Sequence, residues 1–404
     1  MSGDRVRVLH FSNSLARGGA EEHILTLLRG LNRARFELHL VCTPVVAELI
    51  AKDVPDDVEV LPLSFYKPRQ AMTGFALSRI LRQRGIQVVH SHLFYASLFA
   101  SPVAWASGVP AIIETPHVRE QWRQGWLKSR FFIDRWAGRC VSRYIAVSEA
   151  NKRYLVEEKR LPAEKIQVIH NGSDLRRFQA NQQAAGSLRA RLGLAAAAPV
   201  LLVAGRLEPQ KGHRILLQAL PAIRGKYPNV SVIFAGEGAL EAELQAQTRA
   251  LKAESCVRFV GFQRDVQDWF ALADITVLPS FFEGLPLVAV ESLAMGTPLV
   301  ATDVDGTPEI VIHEKTGLTV PPGDADGLAQ AICRLLGSRE LRTQYGEAGR
   351  RMVHRHFSQE RQIRETEQLY LEVLGMPTEP VAVHEHDPLV EEDGQLAGRV
   401  LSRC

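Results

Sequence analysis

Short apolar runs of strand length alternate with helix-like patterns along most of this chain, and that alternation leaves few folds open. Runs at 6–11, 36–42, 58–61, 87–90, 111–114, 144–147 and 166–169 have helical patterns between most of them, and the series restarts after an alanine-rich stretch around 180–198. The second series places strands at 200–204, 230–235, 257–260, 275–278 and 299–301. Strand and helix in alternation build a parallel sheet covered on both faces, so the pattern predicts an α/β chain of two doubly wound units. With 404 residues, 46% of them hydrophobic, the chain is too long for one typical domain and apolar enough for two cores. We place the units at 1–184 and 185–357, with a last helix at 358–375. Residues 376–404 carry three prolines and mostly acidic charge, the composition of a disordered tail.

Charge and cysteine usage narrow the function classes. A net charge of +3 exerts no strong pull on nucleic acid, and no nucleic-acid-binding signature is present, so nucleic acid is excluded as a partner. The five cysteines are scattered without a C-x-x-C pair, which argues for reduced thiols, against structural zinc and for a cytoplasmic location. Arg7 and His10 break the first apolar run, which therefore reads as a strand and not as a signal peptide. No apolar stretch approaches the length of a membrane span, which makes the protein soluble or peripherally bound.

Chemistry concentrates where strands end. After the run at 275–278, the loop turns directly into a helix and carries Glu283, Gly284, Leu285, Pro286 and Glu291. Loops after parallel strands lie at the carboxyl edge, where open α/β sheets bind ligands. Gly284 lets the backbone approach a ligand, Pro286 suits the first helical turn, and free amides at a helix start favour an anion. Gly205, Arg206 and Lys211 follow the strand at 200–204, so a guanidinium fork and a compact ammonium stand at the same edge, suited to a diphosphate. Gly18 and Gly19 follow the first strand and precede a helix at 20–31; their amides could meet a diphosphate or an acceptor, or form only a tight turn. His117 follows a strand and Pro116, with His92 and His170 as weaker candidates. No G-x-G-x-x-G stands at residue 18, and the nearer match from Gly236 has Glu241 in place of the third glycine, which counts against a dehydrogenase. Two glutamates also invite a glycosidase reading, but that class is defined by carboxylate separation in space.

In order, the chain carries G-G-A-E from Gly18, T-P-H from Thr115, A-V-S from Ala146, H-N-G-S-D from His170, G-R-L-x-x-x-K-G from Gly205, A-G-E-G from Ala235, the Glu283 and Glu291 pair, and G-T-P-E from Gly306. Each motif is short, but the ordered set resembles the retaining nucleotide-sugar glycosyltransferases of family 4, over roughly residues 6–374. The resemblance implies the GT-B architecture of two facing Rossmann-like domains with a cleft between them, the last helix packing back on the first. It implies that Arg206 and Lys211 bind the diphosphate, that Glu291 accepts hydrogen bonds from ribose, that Glu283 lies near the donor sugar and phosphate, and that His117 bonds the transferred sugar. Asn171, Gly172 and Asp174 would form an inter-domain turn. The donor would be a UDP-sugar or GDP-mannose. No cofactor is expected, and although Asp303 and Asp305 look like a metal-binding pair, they belong to a stretch of this fold for which metal is not required.

For the acceptor, a glycan or a lipid-linked hydroxyl, the sequence offers one clue. Segment 119–143 mixes seven basic residues with Trp122, Trp126, Trp136, Phe131 and Phe132, which suits an anionic bilayer surface or equally an ordinary helix burying its aromatics. An epimerase, a phosphorylase or a non-catalytic nucleotide-sugar sensor could share the fold; no pyridoxal-phosphate motif supports the phosphorylase.

Overall fold

The computed structural model describes residues 5–16, 18–63, 70–117, 119–120, 131–179 and 182–378. Trp122, Arg123, Trp126, Lys128, Arg130 and residues 379–404 of the expected tail lie outside the described residues. Two wholly parallel sheets carry the fold. The first contains β1 (Val6–Ser12), β2 (Phe36–Cys42), β3 (Glu59–Pro62), β4 (Val88–His92), β5 (Ala111–Thr115), β6 (Arg143–Ala146) and β7 (Ile166–Val168) in the order 3-2-1-4-5-6-7. The second contains β8 (Val200–Ala204), β9 (Ser231–Ala235), β10 (Val257–Phe259), β11 (Ile275–Leu278), β12 (Leu299–Thr302) and β13 (Gly317–Val320) in the order 10-9-8-11-12-13. In both sheets the strand order reverses beside the first strand, which opens a crevice between β1 and β4 and another between β8 and β11. The edge strand β13 was not anticipated: four residues beginning with glycine give too weak a strand pattern.

Most strands are buried on both faces, as helices on each side of a parallel sheet require. The period of two sorts the first sheet cleanly. Val6, Val8, Val88, Ala111 and Ile113 face the core under helix Gly19–Gly30, while Leu9, Phe11, Val89 and Ile112 face the opposite core. Helix Gln359–Val373 places Leu369, Tyr370 and Leu371 in that first core, so the end of the described chain completes the first domain. The chain passes between the sheets at 170–174 and returns at 357–359. At this double crossing Ser173 donates its amide to the Phe357 carbonyl and accepts from the Gln359 amide. Leu175, Phe178 and Leu188 pack with Val200, Leu202 and Phe270 of the second unit, so the changeover in packing precedes the boundary drawn at 185. Pro286 is the N-cap of helix Leu287–Ala294, one step earlier than a first-turn proline.

Among the described residues, no helix is long and apolar enough to cross a membrane.

Candidate active site

The loop after β8 is pressed onto the loop after β11. Gly212, at φ +64°, would place a Cβ 1.9 Å from the Pro279 carbonyl oxygen, so the close approach and the left-handed backbone both require glycine there. Phe281 donates its amide to the Gln210 carbonyl at 2.8 Å, and Gln210 Nε2 donates to the Phe282 carbonyl at 2.9 Å. This clamp brings Lys211 Nζ to 2.6 Å from Glu283 Oε1, an oxygen that also accepts from Ser280 Oγ at 2.7 Å. Asp305, held at φ +43° after β12, accepts the Glu283 amide at 2.9 Å. Burial raises the Asp305 carboxyl above its ordinary range, and its hydrogen bond to the loop partly offsets this. Asp305 thus braces the Glu283 loop, and Asp303 beside it is exposed.

Arg206 is placed differently. Its guanidinium pairs with Glu208 at 2.8 Å and stays about half exposed at 49%, so it stands on the rim while Lys211 reaches into the crevice. Gly205 follows β8 and donates its amide to the Ala235 carbonyl. Leu285 is buried in the second core. Glu291, on the fifth position of its helix, accepts from Ser173 Oγ at 3.3 Å, and burial pushes its carboxyl up to about 7.

The facing wall comes from the first sheet. A Cβ on Gly284 would lie 2.0 Å from the His117 carbonyl oxygen, so the two loops that carry Glu283 and His117 touch backbone to backbone. Gly18 and Gly19 open helix Gly19–Gly30, where the Gly18 amide is already occupied by Glu21 Oε2 at 3.0 Å. Behind them lies a group no charge pattern announced: His10, His23, His90, His92 and His117 are all buried. His92 links His10, at 3.1 Å, to His117, at 3.3 Å. His90 bonds the Tyr370 hydroxyl at 2.6 Å and Thr115 Oγ1 at 2.7 Å. Burial lowers the pKa of every one of these rings, with His10 at about 3 and His23 at about 4, so all five are neutral at pH 7.

The remaining motifs join the domains. Glu309 accepts the Glu149 and Ala150 amides, each at 3.0 Å, at the start of helix Glu149–Arg153, and pairs with His170 Nε2 at 3.0 Å. Asn171 Oδ1 meets His23 Nδ1 at 2.7 Å, and the Gly172 amide donates to Gln362 Oε1 at 2.7 Å. His170 is therefore a cross-domain partner of Glu309, and Asp174 holds Arg176 at 2.8 Å. Sequence reasoning missed the bracing by Asp305, the capping by Glu309 and the histidines at 10, 23 and 90. The H-x-H of His90 and His92 was a usable signal, because a period of two puts both rings on one face of β4.

Two doubly wound sheets that meet at their carboxyl edges around a Lys–Glu pair and a histidine wall define a GT-B enzyme. Residues 186–352 match the family "Glycosyl transferases group 1", and residues 17–177 match "Glycosyltransferase Family 4". The chain is 32% identical over 311 residues to a glycogen synthase of Mycobacterium tuberculosis, covering 74% of this chain and 72% of that protein. A UDP-Gal:alpha-D-GlcNAc-diphosphoundecaprenol alpha-1,3-galactosyltransferase of Escherichia coli is 23% identical, over 83% of this chain and 89% of that one. Among solved structures, HepE of Anabaena in complex with UDP superposes with a TM-score of 0.81 at 21% identity, covering 91% of this chain and all of that one, 100%. The chain belongs to the group 1 glycosyltransferases of family 4, and is a glycosyltransferase. The epimerase, phosphorylase and sensor readings are set aside.

Proposed function

We propose that the enzyme transfers a hexose, with retention at the anomeric carbon, from a nucleoside diphosphate sugar to a hydroxyl of a glycan or lipid-linked acceptor in cell-envelope or exopolysaccharide synthesis. The observation that carries this reading is the Lys211–Glu283 pair, 2.6 Å apart in the β8/β11 crevice and facing the loop of His117. An incoming diphosphate offers Lys211 a second anion, and Arg206 on the rim can add a bidentate grip. As the glycosidic bond to the diphosphate breaks, the leaving oxygen gains charge that Lys211 and Arg206 stabilise. The acceptor hydroxyl attacks on the face the diphosphate leaves, and its proton passes to a phosphate oxygen. Glu291 takes the ribose hydroxyls and His117 the sugar, while orientation across the cleft supplies much of the rate. We assign the diphosphate no metal, because cationic side chains and loop amides meet its charge. UDP is favoured as the nucleotide: the Escherichia coli relative is named for UDP-Gal and HepE of Anabaena is solved with UDP.

A peripheral membrane contact belongs to the same reading. Helix Phe131–Ala137 exposes Phe132 and Trp136 beside Arg135, Arg139, Arg160 and Lys165, around a groove of about 380 Å³. Aromatics among cations suit an anionic lipid surface. Cosedimentation with anionic vesicles should fall on replacing Trp136 and Arg135 and on adding salt; no sedimentation of the unaltered protein rejects the contact.

The decisive experiment is a donor screen with mass detection of product, followed by assignment of the anomeric configuration. Transfer from a UDP-hexose with retention supports the proposal. Inversion, or hydrolysis without transfer to any hydroxyl acceptor, rejects it.

A further inference from the structure

The buried histidines hold more coordinating capacity than the donor-sugar role of His117 uses. His23, His92 and His117 each offer one nitrogen, and the three atoms lie within 4.8 Å of one another. His92 Nδ1 and His117 Nε2 stand 3.3 Å apart. Two imidazole nitrogens about 2.0–2.1 Å from a tetrahedral zinc ion are separated by about 3.4 Å, so this edge is already set for a shared ion. His23 Nε2 is buried without a hydrogen-bond partner, on a side chain only 2% exposed. An orphaned buried imidazole nitrogen is costly, and a metal ion would satisfy it.

We propose that His23, His92 and His117 form a binding site for one zinc-class divalent cation at the floor of the cleft. Three neutral imidazoles suit a borderline cation and leave a fourth position open. The outer contacts are also present. His23 Nδ1 is held at 2.7 Å by Asn171 Oδ1 and lies 2.9 Å from Gln362 Nε2, while His92 Nε2 rests against His10 Nδ1 at 3.1 Å. The neighbouring trio of His10, His90 and His92 is equally compact, but both His90 nitrogens are already bonded, to Tyr370 and Thr115. The ion would link helix Gly19–Gly30, β4 and the loop after β5.

The test uses the full chain, stripped with chelator and titrated with zinc, and needs no assay of turnover. We expect one equivalent bound, a rise in Tm with zinc concentration, and visible bands of a low-coordinate ion when cobalt replaces zinc. His23→Asn keeps an atom near the Nδ1 position and removes Nε2, and should weaken zinc about 100-fold or more. His90→Gln should leave binding within a few-fold. Absence of stoichiometric binding overturns the proposal, as does loss on His90→Gln with retention on His23→Asn. If His23→Asn does not fold by circular dichroism, X-ray absorption on the unaltered zinc form decides: three imidazole ligands sustain the site, and fewer reject it.

Discussion

The two sheets share a strand order and a crevice beside the first strand, yet they furnish those crevices oppositely. Between β8 and β11 stand a lysine, two carboxylates and a serine locked by short charge-assisted bonds. Beside β1 and β4 stand neutral imidazoles. The same backbone therefore supplies one wall suited to a strong anion and another suited to uncharged hydroxyls, and the side chains at the strand ends decide which is which. A transferase that must hold a diphosphate while leaving a sugar free to move needs both.

Lys211→Ala should break that contrast hardest. It removes the cation proposed for the leaving diphosphate and leaves Glu283, 6% exposed, without its partner. We expect kcat/KM to fall about 100- to 1,000-fold. Unfolding free energy should fall by about 3 kcal/mol, because breaking a buried pair strands a charge. A folding cost was not foreseen from sequence, where Lys211 read as a loop cation. Denaturant unfolding and steady-state kinetics together check both parts, and unchanged nucleotide use would remove Lys211 from the donor site.

Arg206→Ala should cost less, because a rim guanidinium is solvated. Loss of one charge-assisted contact of about 1.5–3 kcal/mol corresponds to roughly 10- to 100-fold weaker nucleoside diphosphate binding with stability unchanged. Calorimetry reads this directly. On the opposite wall, His117→Asn should lower kcat about 10-fold while nucleotide affinity stays within a few-fold, since no charge is lost. Equal damage to nucleotide binding would dissolve the distinction between the walls.

Glu291 sharpens the comparison through pH. Its folded pKa of about 7 lies above the ordinary carboxylate value, so the folded protein binds this proton more tightly than the unfolded chain. Its contribution to stability is therefore present at low pH and is lost as pH rises from about 4.5 through 7. Glu291→Gln should flatten that slope in Tm. Ribose hydroxyls favour the ionised form, so donor binding should release a proton and tighten with rising pH, and the variant should lose preference for ribose over a 2′-deoxy donor. Equal loss on both donors would move Glu291 to helix architecture. The smallest effect concerns metal on the donor: leaving out magnesium and manganese should keep turnover within about 2-fold, because side chains meet the diphosphate charge. Complete loss restored by magnesium would overturn that assignment.

What the sequence disclosed follows from what period and punctuation encode. Strands β2, β8 and β11 were readable to the residue because β8 and β11 are apolar runs bounded by glycine, proline or aspartate, and β2 starts by alternating apolar residues with Glu37 and His39. The loops bearing Lys211 and Glu283 were readable because a strand end followed by glycine, as at Gly205, or by proline, as at Pro279, marks a carboxyl-edge loop. Their mutual ion pair was not, since 72 residues separate them and the contacts of Gly212 with Pro279 and of Gln210 with Phe281 and Phe282 bring them together. Asp305 looked like a metal ligand because a sequence shows a carboxylate's charge and not the amide it faces. The histidine group draws on four separate segments, and beyond the H-x-H of β4 tertiary proximity of that kind leaves no local signature.

The return of helix Gln359–Val373 to the first domain has a consequence for how the protein is made. His90 and Tyr370 are hydrogen-bonded across 280 residues, and Leu369 and Leu371 fill the core beneath helix Gly19–Gly30. The sheet that emerges first from the ribosome therefore waits, with an apolar seat uncovered, until the whole second domain has been synthesised. Synthesis at about 5–20 residues per second makes that interval tens of seconds, during which the nascent first domain depends on chaperones or on its other core to stay out of aggregates.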